Sequence, residues 1–252
     1  MIGTILLLLI LIALWQGGYW LCVDLLGWWK PYAMPSPQGV GLSLIRLGGN
    51  GSLLRATANS LLRGLTGYAL AIVVGLMLGL LINRSSYLQK HLKPLVLGVQ
   101  TLPSVCWVPF SILWFGLSTS AILFVVIMGS AFGIALSVDD ALQNIQPIYQ
   151  KSALTMGATR LQLYRYVIFP AALPALLSGL KQGWSFAWRA LMSGEVMTTS
   201  IGLGQTLITG RDLADINQVM LVMLIIVLVG ILIERCFFSI FEKKLLKKRG
   251  LV

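Results

Sequence analysis

A chain of 252 residues that is 57% hydrophobic and 11% charged, with a mean hydropathy of +0.86, could not fold as a soluble domain without covering itself in apolar surface. Its formal charge of +11 does not mark a nucleic-acid binder, because six of the nineteen basic residues fall in the last eighteen positions: Arg235, Lys243, Lys244, Lys247, Lys248 and Arg249. A basic cluster after a final hydrophobic run (about 239–252) reads as a cytoplasmic tail lying against anionic membrane lipid.

A bilayer core about 30 Å thick needs about 20 mostly apolar residues per helix. A closed barrel needs alternating strands, whereas Ile2–Trp15, Tyr68–Ile82 and Val219–Ile233 are apolar on every face, so an all-α integral membrane protein is expected. In chain order the expected spans are 2–24, 62–83, 94–115, 119–138, 172–196 and 216–238, six in a single domain, 1–252. The first has no basic residue before it and no small-residue cleavage site after it, and Tyr19, Trp20 and Leu21 are too bulky for a lipidation site at Cys22, so it reads as a retained helix. Gly27–Ser52, with Pro31, Pro35 and Pro37, reads as an irregular surface loop. Gly75-x-x-x-Gly79 in the second span permits close helix approach. Cys22, Cys106 and Cys236 lack metal or redox spacing and read as small buried hydrophobes.

Orientation follows from the basic residues. With both termini cytoplasmic, twelve lie inside (Arg84, Lys90, Lys93, Lys151, Arg160, Arg165 and the six of the tail) and five outside: Lys30, Arg46, Arg55, Arg63 and Arg211. Lys181 and Arg189 fall within a span. The asymmetry favours cytoplasmic termini and places the longest polar interval, 139–170, inside.

That interval divides into two short amphipathic helices. Pro147 suits a first turn, with Ile145, Ile148, Tyr149, Ala153 and Met156 recurring at three and four. Gly157 supplies a stop at positive φ. Thr159 is an N-cap for a second helix with Leu161, Tyr164, Val167 and Ile168 on one face, ending at Pro170. On shape alone such a loop could simply lie on the membrane surface.

The spacing Lys151-Ser152-Ala153-x3-Gly157-x9-Val167-x-Phe169-Pro170 resembles the Glu-Ala-Ala-x3-Gly-x9-Ile-x-Leu-Pro signature of ABC-importer permeases, with Lys151 where that family has Glu and Ser152 where it has Ala. Tyr32-Ala33-Met34-Pro35-Ser36-Pro37, Leu102-Pro103-x3-Trp107-x-Pro109, Ile112-Leu113-Trp114-Phe115-Gly116, Ala187–Glu195 and Gly202-Leu203-Gly204 resemble its nitrate, sulfonate, taurine and bicarbonate branch. The resemblance implies the type I, MetI-like permease fold in a bacterial cytoplasmic (inner) membrane. It implies a second permease copy as partner in a homodimer, two cytoplasmic ABC ATPase subunits that bind the ATP and Mg, and an extracytoplasmic substrate-binding protein. It makes Lys151, Ser152, Ala153, Met156, Gly157, Ala158 and Pro170 the ATPase-coupling residues. No phosphate-binding G-x-x-x-x-G-K-[ST] occurs in the chain, which is expected to bind no cofactor or metal and to have no catalytic residue of its own.

Charges inside a span are costly unless paired or hydrated, so Lys181, Arg189 and Glu195 stand out. One reading has Lys181 snorkelling to the interface while Arg189 and Glu195 pair with neighbours. The other places Lys181, Ser185, Trp188, Arg189 and Glu195 along a substrate path for a small anion; Lys181, Ser185, Trp188 and Met192 share a helical stripe with Arg189 at its edge. A membrane enzyme is disfavoured, because the sole histidine, His91, is in a short inner loop and no H-E-x-x-H occurs. A transporter without ATP has no evident use for the glycine-broken loop.

Overall fold

The computed structural model describes residues 2–238, and all regular structure among them is helical. The expected basic tail from 239 onward lies outside the described residues. The chain divides into two compact units, Met1–Leu61 with Thr199–Val229, and Leu62–Thr198 with Gly230–Val252.

In the first unit, α1 (Ile2–Tyr19) widens into a π-helical turn, Trp20–Leu25. The loop expected over Gly27–Ser52 contains a helix, α2 (Pro37–Gly49). Its start follows capping chemistry: Ser36 Oγ accepts the Gly39 N–H at 3.0 Å, and Pro37 occupies a first-turn position where its missing N–H costs nothing. Prolines that read as loop punctuation here nucleate a helix. Within this unit, Arg46 of α2 pairs with Asp215 at 2.6 Å, and the Ser36 N–H donates to Asn217 Oδ1 at 2.9 Å. Burial pushes the Asp215 carboxyl up, but the Arg46 guanidinium and the Gln218 N–H outweigh it and hold Asp215 below the usual carboxylate range. α10 (Leu203–Asp212) and α11 (Ile216–Ile233) complete the elements introduced by this unit, and α11 ends in a further π-helical turn, Glu234–Phe238.

The second unit is built on α6 (Thr119–Gln143) and α9 (Phe169–Val196), the most extensively packed helix pair. Ile122, Val125, Val126, Ile134 and Ala135 of α6 and Ala187, Ala190 and Leu191 of α9 are fully buried. α3 (Ser52–Asn83) reaches α6 through the expected glycines. A Cβ at Gly79 would lie 2.6 Å from the Ala135 carbonyl oxygen, and one at Gly75 2.7 Å from Ile134 Cβ. At 32 residues α3 is about 48 Å long and starts ten residues before the expected span. Its polar first turns, carrying Arg55 and Asn59, fall between the expected loop, Gly27–Ser52, and the expected span.

Among the described residues four helices are long and apolar enough to cross a membrane: Ser52–Asn83, Thr119–Gln143, Arg160–Val196 and Ile216–Cys236. The expected third span is instead a broken pair, bent by 94° between α4 (Ser86–Gln100) and a segment comprising a 3-10 turn (Ser104–Trp107) and α5 (Val108–Phe115). Pro103 sits at the break with an extended ψ of 138°, has no N–H to donate and disfavours helical conformation in the residue before it. Counting that pair as one span gives five, and the opening run, Leu9–Leu25, qualifies only as a shorter apolar helix. The expected six are therefore not all matched. Cys106 and Cys236 are exposed and Cys22 half-buried, contrary to the expectation of burial. His91 lies on α4 against the Tyr87 ring.

Candidate functional site

The interval 139–170 folds as a hairpin rooted in the second unit. α7 (Pro147–Thr155) begins with its proline in the first turn, as the sequence predicts. It ends in a Schellman arrangement: the Gly157 N–H donates to the Leu154 carbonyl and the Ala158 N–H to the Ala153 carbonyl, each at 3.0 Å. Gly157 has φ +80°, a conformation in which a Cβ would be strained. Thr159 caps α8 (Arg160–Leu163) in a reciprocal box with Gln162, a partner detectable in the sequence as the polar residue three positions on.

Pro170 does not end this helix. A π-helical turn over Tyr164–Ile168 carries the chain from α8 into α9 as one continuous run, Arg160–Val196. The widened turn leaves Pro170 in the first turn of a new α-helical register, where no N–H is required.

Ile145, Leu163 and Ile168 root the hairpin in a buried cluster with Ala141 and Ala172, against which Ala153 and Val167 pack. The apolar sets expected to share faces therefore split. Ile148, Tyr149, Leu154, Met156, Leu161 and Tyr164 are exposed, Met156 at 87%. Lys151, Ser152 and Gly157 are exposed with them, and Ala158 is half-buried. The hairpin thus displays a large-side-chain apolar surface around a glycine turn.

The three charges of the fifth span have different surroundings. Glu195 is fully buried and pairs with Arg63 of α3 at 3.1 Å. Arg63, counted from the sequence among the outside charges, belongs to a helix–helix contact. Lys181 pairs at 2.9 Å with Glu234, and both side chains are partly exposed. Arg189 is exposed; its Nε donates to the Ser185 carbonyl at 3.2 Å, its guanidinium lies 5.1 Å from the centre of the Phe186 ring, and no carboxylate faces it among the described residues. Trp188 is buried and stacked on Trp184, so the exposed line of α9 passes through Ser178, Gln182, Ser185 and Arg189 and not through Trp188. Ser178 and Gln182 were missed, although their spacing of seven and three from Ser185 is visible in the sequence.

A second polar cluster was also missed. Asp139, fully buried near the end of α6, accepts from Lys93 at 2.8 Å, from Gln143 at 2.6 Å and from Asn83 at 3.3 Å, while Lys93 also reaches Asp140 at 2.8 Å. It ties α3, α4 and α6 together at the end from which the hairpin emerges. The signal was Asp139-Asp140 at the margin of an apolar run.

Long apolar helices, a broken helix pair and a glycine-turned hairpin with an apolar display fit a multi-pass membrane protein. The chain belongs to the family of binding-protein-dependent transport system inner membrane components, which matches residues 71–247, and is thus a permease of the ABC-importer type. It is 30% identical over 188 residues to an ABC transporter permease protein of Methanocaldococcus jannaschii, covering 74% of this chain and 70% of that one. It is 25% identical over 227 residues to the taurine transport system permease of Escherichia coli, covering 85% and 82%. Further relatives, 24% to 30% identical, are named for aliphatic sulfonates, nitrate, bicarbonate and formylaminopyrimidine. The MetNI methionine ABC transporter in an inward-facing conformation shares the fold, with a TM-score of 0.67 at 20% identity over 77% of this chain and 96% of that one.

Proposed function

We propose that this chain forms, with a second copy of itself, the translocation path for a small anionic solute, and that the α7–Gly157–α8 hairpin docks a separate ABC ATPase. The observation that carries the docking half is the hairpin's division into a buried root and a displayed apolar surface. Residues exposed as fully as Met156 and Leu161 on a hairpin held by its own core are placed for a partner groove. On this reading Lys151, Ser152, Ala153, Met156, Gly157, Ala158 and Pro170 form or support the coupling element, and the chain is non-catalytic, with ATP and Mg handled by the ATPase pair. Both termini are cytoplasmic, and an extracytoplasmic binding protein delivers the solute.

The anionic half is supported by the relatives named for sulfonates, taurine, nitrate and bicarbonate, and by the exposed line Ser178–Gln182–Ser185–Arg189, whose only charge is positive. Lys181 lies beside that line with its charge balanced by Glu234, while Trp188 and Glu195 support it from behind.

Gly157→Val tests the docking. It forces a β-branched residue to positive φ at a cost of about 1–3 kcal/mol, confined to the turn because a Cβ there meets no neighbour within 4 Å. Expression in the membrane should persist, while capture of the ATPase and solute-stimulated hydrolysis fall together. Wild-type values of both would remove the hairpin from the docking role.

A further inference from the structure

The bend between α4 and the Ser104–Phe115 segment leaves a cavity of about 310 Å3, within the second unit, lined by Gln100, Thr101, Ser104, Gly129, Phe186 and Arg189 among others. We propose that this cavity is an oxyanion-binding station within the membrane chain, with Arg189 and Gln100 as its recognition groups. The proposal rests on the permease reading above and deepens it by locating where the solute's charged group is held.

The chemistry is asymmetric toward donors. The Arg189 Nε is committed to the Ser185 carbonyl and the guanidinium face lies against Phe186, so the group is held in place while its two terminal nitrogens have no acceptor among the described residues. The Gln100 carboxamide, half-buried in the same wall, likewise has no hydrogen-bond partner among them. Ser104 Oγ meets Ser193 Oγ at 3.3 Å, and because the Ser193 hydroxyl donates to the Arg189 carbonyl at 3.2 Å, Ser104 is the one able to turn its proton into the cavity; no acidic side chain lines it. A guanidinium in a membrane helix without a counter-ion is strongly disfavoured unless water or an anion faces it. Its planar pair of donors fits the two oxygens of a carboxylate, a sulfonate or nitrate.

The lining is also shaped for close approach. A Cβ at Gly129 would sit 2.7 Å from Ala190 Cβ and 3.2 Å from Ser104 Cβ, and one at Gly133, four residues further along α6 and outside the lining itself, 2.8 Å from the Phe186 ring and 3.3 Å from Gln100 Nε2. Small residues on α6 thus bring the broken segment and α9 together around one donor set. The volume lies at the lower end of the range for ligand pockets, about 300–1,000 Å3, which suits a small solute.

The test is anion-dependent thermal stabilisation of the assembled, detergent-solubilised complex, with nitrate and ethanesulfonate as probes against chloride at matched ionic strength. The wild type should show a saturable rise in melting midpoint. Arg189→Gln should need roughly tenfold or more anion for half-saturation, with Gln100→Leu weakened in the same direction and Arg189→Lys intermediate. Equal midpoints in chloride establish that each variant is folded. Half-saturation unchanged in Arg189→Gln, or no saturable rise in the wild type, overturns the station. ATPase capture by the same wild-type preparation separates the two ideas: a complex that couples hydrolysis but shows no anion response keeps the permease reading and loses this one.

Discussion

Glu195→Gln should destabilise the protein by on the order of 3–5 kcal/mol, because it removes the carboxylate from Arg63 at a position with no solvent to replace it. Glu195 is 0% exposed and the Arg63 side chain 13%, so neither charge can turn to water without separating α3 from α9. Arg63→Gln should cost a similar amount by removing the guanidinium from a fully buried carboxylate. Replacing both by apolar residues, Arg63→Met with Glu195→Leu, should recover most of the loss, since a buried pair offsets its own desolvation only partly. Double-cycle thermal unfolding in lipid nanodiscs measures the coupling. Single variants within about 0.5 kcal/mol of wild type would show that the pair is solvated and that α3 and α9 are not held by it.

Gly79→Leu should be at least as damaging, for a steric reason. The added Cβ would meet the Ala135 carbonyl oxygen at 2.6 Å and Val138 Cβ at 2.7 Å, and a backbone oxygen within a helix cannot rotate aside. α3 and α6 must move apart, with an overpacking cost of about 1–3 kcal/mol before the loss of their remaining contacts is counted. Gly98→Ala in α4 is the internal control. A Cβ there meets nothing within 4 Å, so only helix propensity changes, in the stabilising direction by up to about 1 kcal/mol. Recovery of folded, monodisperse protein after detergent extraction should collapse for Gly79→Leu and hold for Gly98→Ala. Equal recovery would contradict the close α3–α6 contact.

Local chemistry carried most of what the sequence revealed. The Pro147 start, the Gly157 turn and the Thr159 cap are decided within a few residues, so they were legible one motif at a time. Features that depend on distant partners were not. Arg63 read only as an outside charge because Glu195, 132 positions away, cannot be paired with it from spacing alone, and Trp188 read as part of a surface stripe because the stack with Trp184 fixes which side of α9 turns inward. Pro103 and Pro170 show the same division. The former breaks a span at 94° and the latter sits in a continuous helix, a difference set by the π-helical turn over Tyr164–Ile168 that no local rule announces. Arg189 was legible as a charge within a span, but its cavity needed the bend of another helix to exist.

The most direct test of the central claim is ATP-driven uptake by proteoliposomes containing this chain with its ATPase, supplied externally with its binding protein. Radiolabelled nitrate, bicarbonate and an alkyl sulfonate are offered in turn, alongside zwitterionic taurine, a quaternary ammonium cation and a neutral polyol. Accumulation of at least one anion that requires ATP and the ATPase, and is lost in Gly157→Val, is the predicted result. Accumulation that proceeds without ATP, or that is confined to cations and neutral solutes, would contradict the account.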